Sequence, residues 1–100
     1  MSEKIRIQIE KDLVEIVPGY LENRRQDLLT LQAALGAGDY VTIAGIGHRI
    51  RGTGAGYGFE WLSAAGATLE TAGKTADAAS IQKAIMEITD YLNRIEVFYA

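Results

Sequence analysis

The chain contains no cysteine, one proline and one histidine among its 100 residues. Without cysteine it can form neither a disulfide nor a thiolate zinc site, and this usage fits a reducing compartment, so we expect a cytoplasmic protein. The single histidine, His48, has no second histidine or carboxylate pair at ligand spacing. The patterns of zinc, haem and di-iron sites are therefore absent, and we expect no metal and no cofactor.

An excess of basic charge and long apolar runs are also missing. The formal net charge is −3, whereas a nucleic-acid ligand demands a concentrated basic face. No apolar stretch approaches the ~18–20 residues that cross a bilayer. The N-terminus is charged from Glu3 to Lys11 and lacks the apolar centre of a signal peptide. We expect neither nucleic acid nor a membrane as partner.

What remains is the pattern of a helical protein. Hydrophobic residues make up 48% of the chain, and a chain of this length buries ~60–65% of its unfolded surface in one core. We predict a single domain over residues 1–100. Its fold class is all-α: an antiparallel four-helix bundle preceded by a short additional N-terminal helix.

The helix boundaries follow from the spacing of apolar residues and from turn signals. The N-terminal helix is predicted to end at Pro18-Gly19, because proline breaks a helix interior. Asp39 is a candidate N-cap of the third helix. The alternation over residues 5–9 is the one strand signal, and an isolated strand would not be stable. Apolar residues in steps of four and three predict a last helix that includes Ile81, Ile85, Ile88, Leu92, Ile95 and Tyr99.

His48 is predicted to point away from the core. At about 100° per residue it lies about 170° from the middle of the apolar arc on its helix. Two glycines in the preceding turn, Gly45 and Gly47, each cost roughly 1 kcal/mol of helix stability relative to alanine. We interpret this face as kept bare for a partner, with Ala44, Gly45, Gly52 and Ala55 as the docking residues.

An exposed lone histidine has several chemical interpretations. As a general base it needs a nucleophile, and only Thr53 and Ser63 are near in sequence. The remaining reaction is attack by the imidazole itself on phosphorus. That reaction needs a free Nε2, a group that holds the Nδ1 proton, and a cation for the phosphoryl charge.

The sequence offers candidates for both accessory roles. Arg51 lies one turn after His48, and Glu70 and Lys74 are i, i+4 neighbours on the next helix. We predict that Glu70 orients the ring and that Arg51 and Lys74 supply positive charge. As alternatives, these charges are simply solvated, and the glycines only cap a helix.

The run His48-Arg49-Ile50-Arg51-Gly52-Thr53-Gly54, followed by Gly58-Phe59 and Leu62, resembles the signature of histidine-containing phosphotransfer (HPt) domains. The resemblance extends over about residues 8–96. It implies that His48 is phosphorylated, that Gly52 lets a receiver domain dock, and that Glu70 contacts the imidazole. Arg51 stands where lysine is more common, Gly47 replaces a frequent alanine, and Ile50 replaces leucine.

The resemblance implies a phosphorelay intermediate of a two-component system. Its partners would be a response-regulator receiver domain and a histidine kinase, with magnesium held by the receiver. We expect a monomeric phosphocarrier that is not an enzyme by itself, although it could belong to a hybrid kinase. The alternative is a helical interaction module that regulates a receiver or kinase without being phosphorylated.

Overall fold

The computed structural model describes residues 3–100 and is mostly helical. Two five-residue strands and two single turns of 3-10 helix, Lys11–Leu13 and Ala55–Tyr57, complete it. The four helices are α1 (Val17–Ala37), α2 (Tyr40–Thr53), α3 (Glu60–Lys74) and α4 (Ala78–Arg94), and the strands are β1 (Ile5–Ile9) and β2 (Ile95–Tyr99).

Local chemistry sets several of the helix ends, among them the predicted cap at Asp39. The side chain of Asp39 accepts a hydrogen bond from the backbone N of Thr42 at 3.1 Å, which caps α2. Asp77 caps α4 in the same way through Ser80, also at 3.1 Å. Gly38, with a φ of 68°, ends α1 in the left-handed conformation that glycine adopts without strain.

Each helix packs against two others. α1 contacts α2 and α4, and α3 contacts the same two helices. The α2–α3 pair runs antiparallel, because Gly73 faces Ala44 whereas Gly54 faces Ser63. Between the helices lies one core, whose largest fully buried side chains are Phe59, Ile9, Leu31, Ile43, Ile50, Leu62, Leu69, Ile81, Ile85, Ile88 and Val17.

The prediction of a short N-terminal helix ending at Pro18-Gly19 is wrong. Residues Ile5–Ile9 form β1, a single 3-10 turn follows, and Pro18 lies in the first turn of α1. Proline is tolerated there, because the first amides of a helix have no intrahelical acceptor. The alternating isoleucines place one face of β1 toward the core, and Ile9 is 1% exposed.

The prediction that the last helix reaches Tyr99 is also wrong. α4 ends at Arg94, and Ile95–Tyr99 forms β2, which pairs in parallel with β1 in the register Ile5↔Ile95 to Ile9↔Tyr99. Its half-buried residues Ile95, Val97 and Tyr99 alternate with the exposed Glu96 and Phe98, so one face of β2 packs on the core as well. The two segments supply each other's hydrogen-bond partners, which neither has alone.

No helix among residues 3–100 is both long enough and apolar enough to cross a membrane.

Candidate functional site

The backbones of α2 and α3 approach each other closely at two glycines. A Cβ atom on Gly47 would lie 2.5 Å from the backbone N of Glu70 and 2.8 Å from the carbonyl oxygen of Gly66. A Cβ atom on Gly66 would collide with the backbone N of Arg51. Side chains at these two positions would push the helices apart, because packed interiors have no room for added atoms. Gly47 and Gly66 thus set the distance between α2 and α3. They thereby set the distance between His48, which follows Gly47, and Glu70, which lies one turn after Gly66.

His48 extends from α2 across this interface to Glu70 of α3. Its side chain is 63% exposed, and its Nδ1 lies 2.9 Å from Oε2 of Glu70. A carboxylate can only accept a hydrogen bond, so Nδ1 carries the ring proton and donates a hydrogen bond to Glu70. The lone pair of Nε2 is then free on the exposed side of the ring.

Glu70 is the one buried charged residue in the described part of the chain, at 8% exposure. Arg51 Nε lies 3.2 Å from its Oε1, and Lys74 Nζ lies 3.3 Å from its Oε2. Burial acts to raise the pKa of this carboxyl. The hydrogen bonds from His48 and Lys74 and the charges of Arg51 and Lys74 together outweigh burial, so the pKa of Glu70 is lowered. Glu70 is therefore ionised at neutral pH.

Arg51 also approaches the imidazole, with Nη2 3.3 Å from Nδ1 of His48. Since Nδ1 already carries a proton, this is a close contact and not a second hydrogen bond. Arg51 thus lies beside the ring, and Lys74 contacts the same carboxylate oxygen as the ring. Such an arrangement suits the binding of an anionic group at the exposed nitrogen.

Three of the four predicted docking residues lie open on the surface. Gly45, Gly52 and Ala55 are exposed, and a Cβ atom on Gly45 or Gly52 would meet nothing within 4 Å. Ala44 is only partly exposed, because it packs beside Gly73 of α3. The surface next to His48 therefore carries few side-chain atoms.

The two hydroxyls near His48 in sequence have structural partners. Thr53 Oγ1 lies 3.0 Å from the hydroxyl of Tyr20 and donates to the carbonyl of Arg49 at 2.9 Å. Ser63 Oγ accepts a hydrogen bond from the backbone N of Ala55 at 2.7 Å. Neither is hydrogen-bonded to His48, so neither is placed as a nucleophile that the ring could activate. The described residues also contain no cluster of three metal-ligating His, Asp or Glu side chains.

Sequence reasoning missed the role of Gly47. Gly47 and Gly45 were both predicted to keep the helix surface free for a partner. In the structure Gly47 is buried against α3, whereas Gly45 is exposed to solvent. The available signal was the seven-residue spacing that Gly47 and Gly54 share with Gly66 and Gly73. Two such series on antiparallel neighbours predict backbone contact at each glycine.

Comparison of the chain with protein-family models, with curated proteins and with solved structures gave no match.

Proposed function

We propose that this chain is a phosphorelay intermediate in which His48 carries the phosphoryl group. The observation that carries the proposal is the pairing of His48 Nδ1 with the buried Glu70 carboxylate at 2.9 Å, which leaves Nε2 exposed. A nucleophilic imidazole requires this tautomer, because the attacking nitrogen must hold a lone pair. The resemblance to HPt domains supports the same assignment.

The phosphoryl transfer needs no reactant other than His48 and the aspartyl phosphate. The lone pair of Nε2 attacks the phosphorus of an aspartyl phosphate, the N–P bond forms, and the P–O bond to the aspartate breaks. The aspartate leaves as a carboxylate, and the ring becomes a phosphoimidazolium whose Nδ1 proton stays hydrogen-bonded to Glu70. The negative charge of Glu70 stabilises that cationic ring. Reversal of these steps passes the phosphoryl group to another receiver aspartate.

Arg51 and Lys74 are assigned to the transferred phosphoryl group. Both are anchored on Glu70, at 3.2 Å and 3.3 Å, yet their side chains are 50% and 67% exposed. Because both side chains are exposed, they can reach toward a phosphoryl group on Nε2 while the cationic ring of His48 remains paired with Glu70. Arginine adds a planar fork of donors that matches phosphoryl oxygens.

The partner would be a receiver domain, which docks over Gly45, Gly52 and Ala55, and a histidine kinase upstream. Magnesium and most of the transfer catalysis would belong to the receiver. The chain is then a monomeric phosphocarrier and not an enzyme by itself. We further propose that α1–α4 form the antiparallel four-helix bundle of HPt domains. β1 and a 3-10 turn precede α1, where an additional N-terminal helix was expected.

The proposal is tested by incubating the protein with a receiver domain that carries labelled phosphate on its aspartate. We expect acid-labile, alkali-stable label on the wild type and none on His48→Gln. Label that persists in His48→Gln would refute the assignment. A receiver that binds tightly but never transfers label would favour the unphosphorylated interaction module instead.

Variants of Glu70 test how the site works. Glu70→Gln keeps an oxygen that accepts the hydrogen bond from Nδ1 but loses the charge that stabilises the cationic ring, so we expect labelling a few-fold slower than in the wild type. Glu70→Leu removes a charge-assisted hydrogen bond and should slow labelling about 10–100-fold. Glu15→Leu, at an exposed position outside the His48 site, is the control for the same chemical change. Equal rates for the glutamine and leucine variants would contradict the positioning role.

Because His48 is the only histidine, its ring nitrogens can be observed without assignment ambiguity. Long-range proton–nitrogen spectra of the neutral ring should show the Nδ1–H tautomer as the major form. In Glu70→Leu the Nδ1–H population should fall. An Nε2–H tautomer in the wild type would contradict the arrangement at Glu70.

A further inference from the structure

A cavity of about 740 Å³ opens on the side of the molecule formed by α3, α4 and β1. It lies among residues that the His48 site does not use, so it is independent of the proposed phosphorelay role. Its volume falls within the range of small-molecule pockets, which runs from about 300 to 1,000 Å³.

Aromatic and aliphatic side chains form most of the cavity wall. Trp61 stacks on Tyr91 with ring centroids 4.4 Å apart, and Ile5 and Ile7 of β1 complete this apolar wall. Met86 lies at the mouth. Trp61 and Met86 remain 41% and 63% exposed although they are large and apolar. A second, smaller cavity of about 160 Å³ adjoins Trp61 and shares Glu87 with the first.

The charges at the cavity are unbalanced. Arg94 is its one basic residue, and that side chain already bonds Asp90 at 3.0 Å and the carbonyl of Glu3 at 2.7 Å. Glu60 and Glu87 also line the cavity, and neither has an ion-pair partner within 4.0 Å among residues 3–100. The cavity thus combines an aromatic wall with two carboxylates that have no ion-pair partner in the described part of the chain.

We propose that this cavity binds an organic cation with an apolar body, such as an alkylammonium compound. The apolar body would contact Trp61, Met86 and the isoleucines of β1. The cationic group would lie at the rim near Glu60 and Glu87, where carboxylates and the indole ring both attract positive charge. An anionic ligand of the same shape would meet these carboxylates and a basic residue that is already paired.

Trp61 is the only tryptophan, so its fluorescence reports directly on the cavity wall. The test compares octyltrimethylammonium, octyl glucoside and octyl sulfate, which share one chain and differ in charge, below their micelle-forming concentrations. We expect saturable binding with an affinity order of cation, then neutral, then anion, and roughly a tenfold preference for the cation over the neutral compound. Circular dichroism should stay unchanged throughout the titration. Equal affinities, tighter binding of the sulfate, or no saturation with the cation would overturn the proposal.

Variants separate the charge from the apolar wall. The double variant Glu60→Gln/Glu87→Gln should bind the cation no better than octyl glucoside. The control double variant Glu10→Gln/Glu15→Gln removes the same charge from exposed positions outside the cavity and should bind like wild type. Undiminished cation binding by the first variant would overturn the charge assignment.

Met86→Lys places a cation at the cavity mouth and should abolish cation binding in a calorimetric titration. Its control is Leu29→Lys, since Leu29 is similarly exposed, at 67%, but lies on α1 away from the cavity. Both substitutions are at exposed positions, so both chains should fold. Retained binding by Met86→Lys would show that the ligand lies elsewhere.

Discussion

Helix α3 meets its two neighbours in opposite ways. Toward α2 it presents Gly66 and Gly73, and the backbones come so close that a single added carbon at either position has no room. Toward α4 and β1 it presents Trp61, and cavities of about 740 Å³ and 160 Å³ remain beside that ring. The α2 side of α3, which we call the filled side, has no room for a side chain at these glycines. The α4 side, which we call the open side, leaves space beside Trp61.

This difference separates two ways of making a functional surface. On the α2 side, backbone contact fixes the distance between His48 and Glu70, so Nδ1 and Oε2 lie 2.9 Å apart. On the α4 side, large side chains hold the elements apart and leave space that a ligand can occupy. We expect the first side to tolerate no added volume and the second to accept it.

The largest effect is expected at the filled side. Gly66→Ala should destabilise the protein by about 2–3 kcal/mol, because the new methyl group meets the backbone of Arg51. Gly45→Ala is the matched control on α2: it enters open space and should stabilise by about 0.5–1 kcal/mol. Urea denaturation of both variants measures this contrast. Similar effects of the two substitutions would contradict the close approach of α2 and α3.

A smaller effect is expected at Tyr91, whose ring lines the open side. Its hydroxyl is buried without a hydrogen-bond partner, and burial, reinforced by Tyr20, raises its pKa to about 12. Tyr91→Phe should therefore stabilise by about 1 kcal/mol, since the buried orphan group is removed. Tyr20→Phe loses the bond to Thr53 at 3.0 Å and should destabilise by a similar amount. Thermal denaturation should show shifts of opposite sign.

Added volume on the open side should cost nothing. Ala64→Leu extends toward the smaller cavity beside Trp61 and should stabilise by about 0.5 kcal/mol. The same change at the exposed Ala33 of α1, outside the described cavities, should be neutral. A destabilisation by Ala64→Leu as large as that of Gly66→Ala would remove the distinction between the two sides of α3.

The smallest effect concerns the stability of the protein at acidic pH. The pKa of Glu70 is lowered in the folded protein from its ordinary value of 4.5, so the ionised carboxylate favours folding. This contribution is present above the unfolded-state pKa and is lost as the pH falls through the lower folded pKa. Relative to Glu70→Gln, the wild type should lose stability as the pH drops below about 4.5. Denaturant unfolding between pH 6 and pH 3, roughly the window of carboxyl titration, measures the difference. A constant difference would contradict the lowered pKa.

The sequence predicted the helical part of the molecule well because its signals are local. Asp39 and Gly38 set helix ends through atoms a few residues away, and the 3-4 apolar spacing marks α2, α3 and most of α4. The residues singled out around His48 also come together, since a short connection makes α2 and α3 neighbours. Whether they carry phosphate stays a prediction that the labelling experiment decides.

The wrong predictions concern segments whose structure depends on residues far away in the sequence. Ile95 and Tyr99 continue the helical spacing of α4, but Ile95, Val97 and Tyr99 also alternate as a strand does, and local pattern cannot choose between the two. The choice depends on β1, which lies about ninety residues away in sequence. The cavity beside Trp61 was not predictable either, because it depends on how three elements pack.

By itself the sequence determined that the protein is mostly helical and that one histidine stands on a bare helix face near Arg51. Tertiary structure decided that β1 and β2 pair, that α2 and α3 come into backbone contact at Gly47, and that Glu70 is buried within hydrogen-bond distance of the ring. The physical reason is the distance along the sequence over which each interaction acts, because caps and helical periodicity involve residues only a few positions apart. Strand pairing, backbone contact and burial exist only when distant segments meet.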